Sequence, residues 1–141
     1  MSEAYDVAAW RLTHGDPLGS IPYYRRVRDT MTNDRWEFHF EYGAALQNAA
    51  LAPGVRASHE RVALAKEALE ELARAARDCP GPKERAVIRL QRALVHTVWG
   101  FPNEAYDECL AALADDPGNK DALASVENVR RFLAAQARAE R

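Results

Sequence analysis

Between Ser58 and Asp78 the apolar side chains Val62, Ala65, Leu69, Leu72 and Ala76 recur three or four residues apart. That spacing lays them along one face of an α-helix and leaves Glu70 and Arg74 as an i,i+4 pair on another side. Ser58 stands where an N-cap is needed, and Cys79-Pro80-Gly81-Pro82 stops the segment. Leu123, Val126, Val129 and Leu133 form a second stripe of the same period. Beyond it AAQARAER, residues 134–141, turns polar and is expected to fray.

Residues 34–43, DRWEFHFEYG, carry a competing signal. Trp36, Phe38, Phe40 and Tyr42 alternate with Glu37, His39 and Glu41, the period of a half-buried strand. The apolar pattern continues, however, through GAALQNAAL at 43–51, whose Ala, Leu and Gln favour helix. A lone strand would also lack a pairing partner, and Asp34 followed by Glu37 has capping-box spacing. The stretch therefore reads as a helix with Trp36, Phe40 and Gly43-Ala44 on one face and Phe38, Tyr42 and Ala45 beside it. Breaks at Gly15-Asp16-Pro17, Pro53-Gly54, Pro80-Gly81, Gly100-Phe101-Pro102 and Pro117-Gly118 cut the chain into further helical lengths. The fold class is all-α, with about seven helices.

Small residues recur at fixed offsets. Gly100 is followed by Ala105, Ala112 and Pro117 at intervals of five, twelve and seventeen, and Gly15 by Ser20, Val27 and Thr32 at the same intervals. Ala68, Ala75 and Pro80 keep the later part of that spacing, while Ala8, Gly43 and Ala93 supply a small residue to the preceding helices. Two helix backbones pack closely only where side chains are small. This pattern resembles the tetratricopeptide repeat family, across nearly the whole chain and most clearly in GFPNEAYDECLAALADDPGN, residues 100–119. The resemblance implies antiparallel helical hairpins stacked as a short right-handed superhelix. Repeats would span 1–34, 35–85 and 86–119, with a capping helix in 120–141. The middle repeat is longer than the 34 residues of the others, so longer helices and a longer loop are expected around NAALAPGVRASHERV, residues 48–62.

Composition narrows the function classes. A chain of 141 residues fits one domain, and a net charge of -2 does not favour nucleic acid. No apolar run approaches the roughly 20 residues that cross a bilayer. The first residues, MSEAYDVAAW, carry acids where a signal peptide is basic, so a cytoplasmic location is expected. Cys79 and Cys109 are too few and too far apart for a disulfide framework or metal knuckle. Arg exceeds Lys and Ala is abundant, as in chains from GC-rich bacterial genomes.

Catalytic signatures are sparse. The sequence has no Gly-rich phosphate loop, G-x-S-x-G or H-E-x-x-H, and His14, His39, His59 and His96 are dispersed. Adjacent acids such as Glu70-Glu71, Asp107-Glu108 and Asp115-Asp116 diverge around a helix and read as solvated faces. No enzyme activity, metal or cofactor is expected.

Two features point instead to a binding partner. Arg85, Arg89, Arg92 and His96 form a stripe at spacings of four, three and four, with Val87, Leu90, Leu94 and Val98 on a neighbouring face. Guanidinium forks suit carboxylates. First helices line the groove in the resembled family, so a stripe facing the groove would take an acidic segment, and one facing elsewhere would pair with Glu104 or Glu108. The second feature is the aromatic set Tyr5, Trp10, Tyr23, Tyr24, Trp36, Phe38, Phe40 and Tyr42. Most of it should fill the core, Trp10 and Trp36 in particular, with Trp36 and Phe40 as candidates for partner contact. The clamp by which some family members grip chaperone tails is absent, since Tyr5, Ala9, Leu90 and Leu94 occupy its Lys and Asn positions. The expected function is a protein–protein interaction module, an adaptor or assembly scaffold. Self-association, or holding a small anionic ligand on the Arg stripe, are the alternatives.

Overall fold

The computed structural model describes residues 3–31, 35–55 and 58–140. Among these lie seven α-helices and no strand: α1 (Glu3–Thr13), α2 (Pro17–Thr30), α3 (Trp36–Ala50), α4 (Ser58–Asp78), α5 (Pro82–Val98), α6 (Pro102–Asp115) and α7 (Lys120–Ala139). The chain gathers into two compact units, Met1–Ala75 and Ala76–Arg141, which divide inside α4.

Local chemistry explains the boundaries. Pro17, Pro82 and Pro102 open α2, α5 and α6, where a missing N–H costs nothing. Asp16 caps α2 by accepting from the Gly19 amide at 3.0 Å, and Asn119 caps α7 by accepting from the Ala122 amide at 3.0 Å. Gly15 and Gly100 take φ of 79° and 83° between paired helices, the left-handed region open to glycine. The long middle segment resolves into α3, the 21-residue α4 and, between them, a link described over 51–55.

Three terminal assignments differ from the sequence reading. Ser58 is the first residue of α4 rather than its cap. Arg35, without a side-chain cap bond, precedes α3; Asp34 of the expected capping box, like Thr32 of the repeat frame, lies outside the described residues. The α7 helix continues through most of the polar tail to Ala139, its last turns exposed.

The small-residue frame coincides with the packed surfaces. Ala8, Ser20, Val27, Gly43, Ala68, Ala75, Ala93, Ala105 and Ala112 are all buried. In the first unit Ala8, Ile21, Tyr24, Phe38, Tyr42, Leu46 and Ala68 share one core. In the second, Ala93, Ala105 and Cys109 meet Val129 of α7, and Ala86, Ala112 and Ala122 form a companion cluster.

The aromatic residues divide differently from expectation. Trp10 is 59% exposed and stacks on His14, with ring centroids 4.2 Å apart. Trp36 and Phe40 are half-buried, whereas Phe38 and Tyr42 point into the core. Tyr24 of α2 selects that face: it stacks on Tyr42 at 5.6 Å and meets Phe38 at 6.1 Å. Such ring pairs add about 0.5–1.5 kcal/mol beyond the area they bury.

Gly43 of α3 lies tightly against Leu72 of α4. A Cβ there would lie 2.7 Å from Leu72 Cγ and 2.8 Å from its Cδ2, and Leu72 is fully buried. Gly43→Ala is expected to destabilise the protein by about 1 kcal/mol, overpacking outweighing the gain in helix propensity. Gly118→Ala, with open space around its Cβ, should stay within about 0.5 kcal/mol of wild type. Urea denaturation of both variants checks the contrast.

Candidate functional site

The Arg stripe of α5 faces the neighbouring helix α6. Arg85 Nε and Arg89 Nε donate to Asp115 Oδ2 at 3.2 and 2.9 Å. Arg92 donates to Glu108 Oε1 at 2.8 Å, and Arg89 lies 3.9 Å from the other oxygen of Glu108. Three guanidinium groups thus share two carboxylates along the α5–α6 seam. Glu108, one of the two acids expected as alternative partners, is used; Asp115 takes the place of Glu104. Asp115 and Glu108 are consequently half-buried rather than the solvated acids read from sequence. His96 ends the stripe, with its ring edge-on to Phe101 at 6.4 Å. Burial, and then the Arg92 charge, hold its pKa below the ordinary imidazole value.

The apolar row of α5 lies on the opposite side, not on a neighbouring face. Two helix positions correspond to about 200° of rotation, which sets Val87 across the axis from Arg89. Val87, Leu94 and Val98 are 49%, 49% and 41% exposed, while Leu90 turns inward against Ala93 and Ala86. Thr97, on the same turn as Leu94 and Val98, also lines a cleft of about 130 Å³ with Pro102, Asn128, Val129 and Phe132. The Thr97 hydroxyl already donates to Ala93 O at 2.9 Å. Phe132 is itself 51% exposed. The cleft itself is apolar apart from the Thr97 hydroxyl and the Asn128 amide, while Lys83, one turn before Val87, and Arg131, one turn after Asn128, are exposed.

The first unit holds a polar network that the sequence did not reveal. His39 Nδ1 lies 2.5 Å from Glu71 Oε2, and both residues are almost fully buried. Arg28 reaches Glu67 at 3.4 Å and Glu71 at 3.8 Å, and its guanidinium lies 5.7 Å from the centre of the Tyr42 ring. Arg74 pairs with Glu71, not with the expected Glu70. The Tyr42 hydroxyl donates to Glu67, and Tyr5 and Tyr24 both donate to Glu41.

Burial and then Glu41 push the Tyr5 hydroxyl up to about 12. The same two causes raise Tyr24, and burial with Glu67 raises Tyr42. At Glu67 burial works upward, but hydrogen bonds from Tyr42 and Arg25 outweigh it and hold the carboxyl below its usual range. Hydroxyls held protonated in this way fasten helices together and are poor proton carriers near neutral pH. The hydrogen-bonded partners in this network lie 17 to 42 residues apart, so no local spacing pointed to it. Trp36 and Phe40 stand on α3 beside this network, in a different unit from the Arg stripe.

Among the described residues no group of His, Cys, Asp and Glu is arranged to hold a metal, and no helix is long and apolar enough to cross a membrane. Cys79 and Cys109 are free thiols. Neither a protein-family model nor a curated protein matches the chain.

Two outcomes follow from these geometries. Removing one member of a buried hydrogen-bonded pair leaves the other unsatisfied, so Glu71→Ala should cost about 1–3 kcal/mol. A double-mutant cycle with His39→Leu, read by chemical denaturation, should return a coupling energy above about 1 kcal/mol. For His96 the folded pKa is depressed, so its contribution is fully present above the unfolded value near about 6.5. It is lost as the pH falls through the lower folded value, because the unfolded chain protonates first. Wild type should therefore lose more urea stability than His96→Gln between neutral and mildly acidic pH.

Proposed function

We propose that the protein is a protein–protein interaction module, built from tetratricopeptide-like hairpins, that receives a partner along the outward face of α5. The observation carrying this reading is the row Val87, Leu94 and Val98, together with Phe132 across the adjoining cleft. Large aliphatic side chains in line one and two turns apart, left uncovered on a helix that is otherwise packed, are typical of surfaces that bury against another chain. The burial of Ala93, Ala105 and Ala112 at the expected offsets supports the repeat-like reading of this hairpin.

The arginines enter this proposal as supports of α5. Their donors are directed at Asp115 and Glu108, so an acidic partner would have to displace contacts already made. Partly exposed pairs of this kind each contribute up to about 1 kcal/mol, and as a seam they hold the register of α5 on α6. An adaptor or assembly role follows from the same face, with self-association as the second occupant it can accept.

Affinity capture from a lysate of the source organism tests the proposal. Wild type is compared with the Val87→Asp, Leu94→Asp, Val98→Asp triple variant after circular dichroism confirms that the variant is folded. A partner held by wild type and lost from the triple variant is the expected result. Equal capture by both would move the site elsewhere. A concentration-dependent mass in light scattering, abolished by the triple variant, would assign the face to a second copy.

A further inference from the structure

Where α1, the end of α2 and the start of α3 converge, the first unit holds a cavity of about 240 Å³ lined by Tyr5, Val27, Met31, Arg35, Glu37 and Phe38. We propose that it binds a free α-amino acid with an apolar side chain. The ligand's carboxylate meets Arg35, its ammonium meets Glu37, and its side chain enters between Val27, Met31 and Phe38. This site belongs to the first unit and does not depend on a partner at α5.

The walls select an apolar body of limited size. Val27 and Phe38 belong to the buried core of the unit, and Met31 packs against that core. The Tyr5 hydroxyl is occupied in donating to Glu41, a carboxylate that Tyr24 also reaches at 3.1 Å. An apolar cavity of about 150 Å³ takes up benzene. At about 240 Å³ this one has room for a ring or branched chain together with the first atoms of a polar head.

The two charged lining residues select the head. Arg35 and Glu37 are 55% and 54% exposed and stand 3.6 Å apart, attracted but not hydrogen-bonded. Neither has another ion pair among the described residues. A bare carboxylate on Arg35 would leave Glu37 beside it and displace an existing partner. It would also approach Asp6 and Glu41, whose charges act on the same Tyr5 hydroxyl as that of Arg35. A bare ammonium on Glu37 would draw the carboxylate from Arg35 and bring a second cation next to the guanidinium. An α-amino acid carries both charges on one carbon. Each side chain of the loose pair then exchanges one partner for another, and charge balances at the mouth. The planar guanidinium gives a carboxylate two parallel donors, which Glu37 does not use at 3.6 Å.

Calorimetric titration of the full chain with leucine, methionine and phenylalanine tests the site. At least one should bind saturably at millimolar concentration, and glycine, which lacks the side chain, should bind at least about tenfold more weakly. For phenylalanine the decarboxylated analogue 2-phenylethylamine and the deaminated analogue 3-phenylpropanoate should each lose about tenfold or more, the worth of one charge-assisted hydrogen bond. Arg35→Gln and Glu37→Gln should weaken the amino acid to a similar degree, and their half-exposed positions leave the core undisturbed. Either analogue binding as tightly as its amino acid would overturn the proposal. Variants that bind like wild type, affinity for glycine equal to the others, or no saturable binding by any of the three would overturn it equally.

Discussion

Close approach of helix backbones is the constraint on which this fold rests. Where α3 meets α4, Gly43 leaves room for only the Leu72 side chain, and where α5 meets α6 and α7 the contacts are made by Ala86, Ala93, Ala105, Ala112 and Ala122. Small residues bring little apolar area each, so the gain comes from the fit of two backbones lying side by side. Larger side chains are then free to occupy the flanks of each seam. That is where Tyr24, Phe38 and Tyr42 sit in the first unit and the Arg–acid pairs sit in the second.

The flanking polar groups fix register. Dispersion between alanine faces discriminates weakly between neighbouring positions along a helix. A hydroxyl donating to Glu41 or Glu67, or a guanidinium on Asp115, is satisfied in one register and orphaned in the next. The buried His39–Glu71 contact is the strictest of these, since neither partner has solvent to fall back on. In both units the polar groups thus specify which of several similar packings the small residues adopt.

Much of the helical framework was legible in the sequence because period and punctuation are local signals. The alternation of Trp36, Phe38, Phe40 and Tyr42 was rightly overruled by the Ala- and Leu-rich residues after it. Which aromatic faced inward was not legible, because the choice is made by Tyr24 on another helix. The direction of the Arg stripe was hidden for a similar reason. Spacings of four, three and four are the same whether the row meets solvent, a ligand or the carboxylates of α6. Glu71 looked like one of two solvated acids because its partner, His39, lies 32 residues away. Local pattern reports which residues share a face; what covers that face depends on residues distant in sequence.

The two cysteines acquire different chemical personalities from their surroundings. Cys109 is enclosed between Ala105, Ala93 and Val129, and burial, with Glu108 beside it, raises its thiol above the ordinary value. Cys79 follows α4, partly open to solvent, its thiol resting against the carbonyls of Ala76 and Gly81. A thiol reagent applied to the native protein therefore meets one accessible sulfur, and its reaction with the other must wait for α5, α6 and α7 to part. The chain thus carries its own clock for the opening of that three-helix packing, running at the rate at which Cys109 is modified.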